Sequence, residues 1–429
     1  MGTPLNSLDM KAVILSAGLG KRLGGKIKPL VKVGGREILY RNLKNLSRFG
    51  IDEFIIVVNQ RNRWAIEDFL KRHRFKYKIV ENKNPERGNG YSLYLARDFV
   101  DGKFVLVMGD HIYSEDFVKE AIKGEGLIGD RIARYIDIKE ATKVMARNGR
   151  VCRIGKDLEK WDFIDTGFFI LDPDIFKHAE SLVKEKYEVS LSEIVERAGV
   201  RVTDVSGFFW IDVDTKDDLK RANKLIVRMS FKGYGDGFVS RYINRKISLR
   251  ISEMLVNRIT PNQATVMSFL IGISSSLLIP ISIPIAGIIY QISSILDGID
   301  GEIARASMRI TRFGGWLDSV LDRYVDFLFL LILAAFGDLN LIGWIFACLA
   351  IFGSFMVSYT TERYRGAFMS DFYRDFRFNF PGKRDERIFL IMLFCLLGHV
   401  FELFVLLAFL TNLRVILTIY TVSKYKRGV

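Results

Sequence analysis

From Thr265 to Leu296 and again from Tyr324 to Phe336 the chain is almost continuously apolar, and Asp297, Asp300, Asp318 and Asp322 stand between the two runs. Runs of this length satisfy their backbone in lipid only as helices. A carboxylate at or inside a membrane boundary is costly unless something compensates it, so these four acids constrain the fold more than any other stretch. In helices, Asp297 and Asp300 are i,i+3 with Ala304 on the same face, and Gly314, Asp318 and Asp322 are successive i,i+4 neighbours. A turn near Met308 to Arg312 lets the two acidic stripes face each other around one small volume, which divalent cations would hold together. The plainer reading makes the acids surface charges paired with Arg305, Arg309, Arg312 and Arg323, but scattered surface charges need keep no register on two helices. Gly301, Ala304 and Gly314 are small enough to admit a neighbouring helix or a flat ligand, and Arg305 could answer a phosphate.

The spacing Asp297-x-x-Asp300-Gly301-x-x-Ala304-Arg305, eight residues, Gly314-x-x-x-Asp318-x-x-x-Asp322 resembles the signature of the CDP-alcohol phosphotransferases without a departure. The resemblance implies an integral membrane enzyme in which an acceptor hydroxyl displaces CMP from a CDP-linked alcohol. It implies six transmembrane helices, placed near 263–283, 284–307, 313–336, 341–362, 384–399 and 401–422. By position, Asp297, Asp300 and Asp318 resemble ligands of a two-metal centre holding magnesium or manganese, and Asp322 a ligand that also serves as base on the acceptor hydroxyl. Gly301, Ala304, Arg305 and Gly314 would line the cytidine site. Thr260-Pro261-Asn262 resembles the family's T-P-N before the first span, which brings Asn262 close to the cytidine.

At 429 residues two or three domains are expected. Up to about Gly237 apolar and charged residues mix as in a soluble protein, and beyond it the apolar runs reach membrane length, so the predicted division is 1–230, a linker and juxtamembrane segment 231–262, and 263–429. Phe231 to Gly237 is glycine-rich, and Phe238 to Ile259 alternates apolar residues with Arg241, Arg245, Lys246, Arg250 and Arg258, as an interfacial amphipathic helix or a linker helix would. A net charge of +14 could suggest nucleic acid. Membrane proteins, however, keep Lys and Arg on the cytoplasmic side, and the charge reads as a topology signal with an attraction for phosphates, not as a nucleic-acid surface. The loop from Glu362 to Arg387 carries Arg363, Arg365, Arg374, Arg377, Lys383, Arg384 and Arg387, and the chain closes on Lys424, Lys426 and Arg427. Both termini are therefore expected in the cytoplasm, with an even number of spans. Arg363, Lys383, Arg384 and Arg387 are candidates for binding an acceptor phosphate, or they serve topology alone. Cys152, Cys348 and Cys395 are scattered and imply neither a disulfide framework nor a zinc site. Met1 to Met10 is polar and the first apolar run short, so no signal peptide is expected, and Asn6 stands where myristoylation of Gly2 would want Ser or Thr.

The first half opens with a strand-length apolar run, Lys11 to Ser16, followed at once by a glycine-rich loop that offers backbone N–H groups to an anion. Helix patterns at Glu37 to Phe49 and Asn62 to Arg72 alternate with strand patterns at Glu53 to Asn59 and Phe104 to Met108. This predicts an α/β, Rossmann-like domain with a mainly parallel sheet, helices on both faces and ligands at the carboxyl ends of its strands. Arg22 and Leu23 stand where a dinucleotide fingerprint needs glycine. Gly18-x-Gly20-x-Arg22 followed by Lys28-Pro29-Leu30 instead resembles the sugar nucleotidyltransferases, over roughly Met10 to Met229.

That resemblance implies Gly18, Gly20 and Arg22 as triphosphate binders and Lys28 as the cation at the reacting phosphates. It also implies Asp110 and Asp212 as ligands of one magnesium ion, with Asp214 set to cap the helix from Thr215 to Val227 or to join them. Gly88 and Asn89 fall in the base-reading loop, and Lys156 and Asp165-Thr166-Gly167 where the sugar phosphate is held. His111, a lone histidine, reads as structural. A chain that consumes a CDP-alcohol most economically makes it from CTP and an alcohol phosphate. Among such fusions the chain resembles the bifunctional inositol-1-phosphate cytidylyltransferases and di-myo-inositol phosphate phosphate synthases. This implies CTP, inositol 1-phosphate and CDP-inositol as substrates, a lipid bilayer as setting, a homodimer through the membrane helices and a compatible-solute precursor as product. The alternative is phospholipid synthesis with a non-catalytic soluble docking domain.

Overall fold

The apolar run at its start becomes strand β1 (Lys11–Leu15), the middle of a nine-stranded sheet in a computed structural model that describes residues 10–231, 236–376 and 380–426. Gly2, Asn6, residues 232–235 of the glycine-rich boundary, Arg377 and Arg427 lie outside the described residues. The chain divides into two compact units, Met1–Asn223 and Lys224–Val429.

In the first unit the strands are β1, β2 (Lys32–Val33), β3 (Arg36–Glu37), β4 (Glu53–Asn59), β5 (Lys76–Asn82), β6 (Phe104–Met108), β7 (His111–Tyr113), β8 (Gly126–Asp130), β9 (Lys143–Arg147), β10 (Arg150–Gly155), β11 (Phe163–Leu171), β12 (Val202–Asp204) and β13 (Trp210–Asp212). The helices are α1 (Ile38–Ser47), α2 (Arg63–His73), α3 (Asn89–Leu95), α4 (Glu115–Ala121), α5 (Ile175–Glu185), α6 (Leu191–Ala198) and α7 (Lys216–Met229), the last crossing the unit boundary. The main sheet runs β10-β9-β11-β6-β1-β4-β5, with β8 on β11 and β12 on β8. Alternation along β1 sends Ala12 and Ile14 to one face, among Leu39 and Leu43 of α1 and Phe69 of α2, and Val13 and Leu15 to the other, among Leu93, Ile175 and Ile194. Both faces are covered, which is why these strands read as unbroken apolar runs.

The expectation of a mainly parallel sheet is corrected to a mixed one. Strands β6, β1, β4 and β5 are parallel, but β11 runs antiparallel to β6, β8 and β9. Helical crossovers joining β1 to β4 and β4 to β5 force parallel pairing; β9 and β10 are joined instead by a hairpin at Asn148-Gly149, both with positive φ (53° and 71°).

The second unit is helical. A π-helical turn (Ser240–Asn244) leads into α8 (Arg245–Leu255), followed by α9 (Pro261–Leu278), α10 (Ile283–Ala306), α11 (Arg312–Phe336), α12 (Leu341–Phe368), α13 (Phe372–Asp375), α14 (Arg384–Leu397) and α15 (Val400–Lys426). Thr260 and Gln263 form a capping box at α9, Thr311 accepts from Gly314 N at 2.9 Å to start α11, and Asn340 caps α12. The core stacks Tyr290 on Phe329 at 4.1 Å between ring centroids, surrounded by Leu333, Cys395, Leu403 and Phe404.

Helices occur at all six predicted spans, with shifted ends. The first stops at Leu278, not 283, and the fourth continues to Phe368, shortening the basic loop. Among the described residues two helices, Leu341–Phe368 and Val400–Tyr425, are long and apolar enough to cross a membrane. With 14 residues, α14 rises about 21 Å, less than the ~30 Å hydrocarbon core.

The segment predicted as an amphipathic helix is divided between the π-turn and α8, and its polar face is turned partly inward. Arg245 and Ser248 donate to Glu302 Oε1 at 2.9 and 2.7 Å, and Ser252 to Oε2 at 2.6 Å, around a carboxylate with 0 % exposure. Phe238, Tyr242, Ile247 and Met254 are exposed. All three cysteines are free.

Candidate active sites

In the first unit the loop after β1, the turn before α3 and the end of β6 converge at the carboxyl ends of parallel strands. Gly18, Lys28, Gly88, Asn89 and Asp110 line a cleft of about 100 Å³ there. Gly18 has open space where a side chain would stand, whereas Gly20 is left-handed (φ 62°) and a Cβ on it would run into the Lys26 carbonyl. Gly88 has φ 92°, and a Cβ would strike the Val189 carbonyl. Packing against the residues before α6 thus demands glycine at 88, whatever approach of a base it also allows. Asn89 accepts from Leu191 N at 2.7 Å, so its amide oxygen joins α3 to the start of α6.

Lys28 Nζ lies 3.0 Å from Asp110 and 2.5 Å from Asp214, and Arg22 Nη1 lies 3.4 Å from Asp214. Asp214 is therefore a partner of the two cations. The cap on α7 is Thr215, whose Oγ1 accepts from Asp218 N at 3.2 Å, which corrects the capping role expected of Asp214. Asp212 pairs across β13 and β7 with His111, next to Asp110, and Val213 N donates to the Asp110 carbonyl at 3.1 Å. His111 Nδ1 is 2.9 Å from Asp110 Oδ1, and its ring lies parallel to that of Trp210. It is thus part of the site, holding Asp110.

Burial works against the Asp110 carboxylate, but His111 and Lys28 overcome it and hold its pKa well below the usual range. Burial raises the Asp212 pKa, against the pull of His111. Asp165 is pushed up to about 6 by burial, against the N–H of Gly167 at 2.8 Å and the charge of His111. The Thr166 hydroxyl does not fit the phosphate-binding role expected of it. It is buried and donates to the Ile128 carbonyl at 2.6 Å, and Lys156 is exposed outside the Lys28 cleft.

In the second unit, register along α10 and α11 brings the acids together. Asp297, Asp318 and Asp322 each offer an oxygen within 4.8 Å of the others. Asp300 turns to Thr265, accepting from its Oγ1 at 2.6 Å. The aspartates separate two clefts. One, of about 290 Å³, is lined by Asn262, Asp300, Gly301, Ala304, Arg305, Gly314 and Asp318. The other, of about 270 Å³, is lined by Asp297, Asp322, Lys383, Arg384 and Arg387 together with hydroxyl and amide groups. Arg305 also donates to the Ser230 carbonyl at 2.8 Å.

Arg384, expected to await a phosphate, is instead the counter-charge of the cluster. It reaches Asp297 at 3.1 Å, Asp322 at 3.0 Å and Asp326 at 3.1 Å. Arg363 is exposed on α12 and does not line the cleft, which corrects its expected role. Lys383 Nζ donates to the Asp236 carbonyl at 3.0 Å, and Arg387, buried, donates to the Gly382 carbonyl at 3.0 Å.

Asp326 and Glu302 escaped the sequence reading. Asp326 continues the stripe from Asp318 and Asp322 by one more i,i+4 step, a signal that was available; it accepts from Tyr290 Oη at 2.7 Å. Three clustered carboxylates against one arginine keep an excess of negative charge, and an all-oxygen donor set suits a hard divalent cation; Asp110 and Asp212, also carboxylates, suit the same kind of ion.

Comparison with known proteins finds matches to both parts of the chain. A family model described as CDP-alcohol phosphatidyltransferase matches residues 258–422, and one described as MobA-like NTP transferase domain matches residues 12–134. A protein of Thermococcus kodakarensis named bifunctional IPC transferase and DIPP synthase is 54% identical over 421 residues, covering 96% of this chain and 97% of the relative. One of the same name from Aquifex aeolicus is 52% identical over 427 residues, covering 97% and 99%. A solved structure described as the inositol-1-phosphate CTP transferase from T. maritima is 27% identical, with a TM-score of 0.46 over 50% of this chain and 95% of that one. With a nucleotidyltransferase domain, a CDP-alcohol phosphotransferase domain and relatives this similar over nearly their whole length, the chain belongs to the family of bifunctional IPC transferases and DIPP synthases.

Proposed function

We propose that the first unit makes CDP-inositol from CTP and inositol 1-phosphate, and that the second transfers the phospho-inositol group of CDP-inositol to another inositol 1-phosphate, releasing CMP. The observation that carries this reading is the pair of clefts on either side of the aspartates. One is walled by small residues and suits a flat nucleotide; the other is cationic and suits a phosphorylated polyol.

In the first reaction an oxygen of the alcohol phosphate attacks the α-phosphorus of CTP, the bond to the β-phosphate breaks and pyrophosphate leaves. Lys28 and Arg22 answer the negative charge that shifts to the leaving group, and the backbone around Gly18 and Gly20 cradles the triphosphate. In the second, the acceptor hydroxyl attacks the inositol-bearing phosphorus of CDP-inositol and the bond to CMP breaks. Asp322 takes the hydroxyl proton, with Arg384 Nη1 3.0 Å from its carboxylate. Lys383 and Arg387 attract the acceptor's phosphate. Asp297, Asp300, Asp318 and Asp322 in one unit, and Asp110 and Asp212 in the other, would hold magnesium or manganese, which when bound neutralises phosphate charge and polarises the bond being broken.

The positions of six helices and the basic character of the segment 362–387 support six membrane crossings with both termini cytoplasmic, and a homodimer through the helical unit is part of the same proposal. Incubating the purified chain with CTP, magnesium and a panel of alcohol phosphates, with products identified by mass, tests the reading. Inositol 1-phosphate should yield CDP-inositol and a phosphorylated di-inositol diester, and Asp318→Asn should stop CMP release while sparing pyrophosphate release. An organic-extractable product, or CMP release that survives Asp318→Asn, refutes it.

A further inference from the structure

The cationic cleft of the helical unit contains two buried hydrogen-bond donors that meet no acceptor among the described residues. Asn244, 3 % exposed on the π-turn before α8, accepts from Gln291 Nε2 at 3.0 Å through its Oδ1, and its Nδ2 donates to nothing. Nη1 of Arg323 is likewise buried without a hydrogen bond, and Asp326 Oδ2 lies 3.7 Å away from it, beyond hydrogen-bonding reach. Both residues line the cleft into which Asp297 and Asp322 face. Buried donors left unpaired are costly, and a fold that keeps two of them beside one cavity has a use for what fills it. Five basic residues, Arg245, Arg323, Lys383, Arg384 and Arg387, line the cavity against the four acids Asp236, Asp297, Asp322 and Asp385, a small excess of positive charge.

We infer that Asn244 and Arg323 bind the phosphomonoester of the acceptor, and that they rather than Arg384 complete its recognition. The chemistry is complementary, since both offer only donors at the cavity and a phosphate offers only acceptors. Arg384 is engaged by three aspartates, whereas Arg323 lines the same cleft as Asp322, so an anion held there shares the cavity of the proposed base. Gripping the phosphate from the π-turn and from α11 would fix which ring hydroxyl is presented to the carboxylates. The inference rests on the phosphoryl transfer proposed above and adds which residues select a phosphorylated acceptor over a free polyol.

The test uses the full chain in detergent, with CDP-inositol as donor, inositol 1-phosphate or free inositol as acceptor, and CMP release as readout. Asn244→Ala should raise the KM for inositol 1-phosphate about tenfold and Arg323→Gln about 10- to 100-fold. Turnover at saturation and the KM for CDP-inositol should stay within about twofold of the parent, and any activity with free inositol should not change. Asn244→Asp, which sets a carboxylate against the phosphate, should be worse than Asn244→Ala. An unchanged acceptor KM, a rise in both KM values together, or an Asp variant no worse than the Ala variant overturns the inference. If Asn244→Ala does not fold, Asn244→Ser gives the same reading. If the parent chain releases no CMP with any acceptor, the proposed function fails, and calorimetric binding of inositol 1-phosphate to the parent and Arg323→Gln chains then decides the inference separately.

Discussion

Lys28→Met separates the charge of Lys28 from its bulk. Methionine keeps most of the apolar stem and removes an ammonium 3.0 Å from Asp110 and 2.5 Å from Asp214, in a cluster whose side chains are 16 to 27 % exposed. Breaking a fully buried pair costs about 3–5 kcal/mol and an exposed pair is worth under about 1, so partial solvent access puts this loss at about 2 kcal/mol. For a unit of this size that lowers its melting transition by about 4–8 °C.

The pH dependence follows from two opposite shifts. Burial works against the Lys28 ammonium, but Asp110 and Asp214 outweigh it and raise its pKa above 10.5. The contribution of Lys28 is present below its ordinary pKa and is lost as pH rises through the raised one. The contribution of Asp110, whose pKa is lowered, is present above 3.8 and is lost as pH falls through the depressed value. The deficit of Lys28→Met should therefore be constant from about pH 5 to 9 and shrink in acid. Thermal unfolding of the full chain in detergent at several pH values measures it. Pyrophosphate release from CTP should fall about 100-fold while CMP release from added CDP-inositol is spared. A melting transition within 1 °C of the parent at pH 7 (about 0.3 kcal/mol), or a deficit that disappears between pH 6 and 8, would refute the reasoning.

Two other substitutions probe features the local pattern concealed. Glu302→Gln replaces a fully buried carboxylate that accepts from Arg245, Ser248 and Ser252, and should cost about 2–3 kcal/mol in detergent unfolding while lowering CMP release; equal stability would mean the charge is not what joins α8 to α10. Gly88→Ala combines a φ of 92° with a collision at the Val189 carbonyl, so it should destabilise by about 2 kcal/mol or more and raise the KM for CTP, and a neutral effect would show that the turn relaxes.

Local order is what made the fold legible. The parallel half of the sheet could be read because β1, β4 and β6 are short apolar runs buried on both faces, and because α1 and α2 carry their own amphipathic period. The antiparallel half was not legible because β11 pairs with β6, β8 and β9 across long stretches of chain, and the Asn148-Gly149 turn is a local sign of the β9–β10 hairpin alone. Helix caps at Thr260, Thr311 and Asn340 are local and fall where the spans were expected to begin. The end of α12 has no such mark, since Glu362 to Phe368 mixes helix formers (Glu362, Arg363, Arg365, Ala367) with Gly366 and suits a solvated helical extension as well as a loop, and the helix runs on to a left-handed Met369.

The same division runs through the sites. Which aspartates share a face is a property of the helix period, so Asp297, Asp318 and Asp322 could be grouped from spacing alone. What compensates them is tertiary. Arg384 lies 87 residues from Asp297, and the groups that surround Glu302 come from 50 to 57 residues away. No local pattern distinguishes Arg384 from Arg363, although one is held by three carboxylates and the other is exposed on α12. The difference also explains how a chain tolerates so many acids beside apolar helices. Arg384 supplies positive charge to Asp297, Asp322 and Asp326, and Arg245 does so for Glu302, so most of the acids that a spacing argument finds alarming carry their own counter-charge. Asp300 and Asp318, at the nucleotide-sized cleft, have no such arginine among the described pairs, which leaves the negative charge that a cation would neutralise on the side where the diphosphate is proposed to lie.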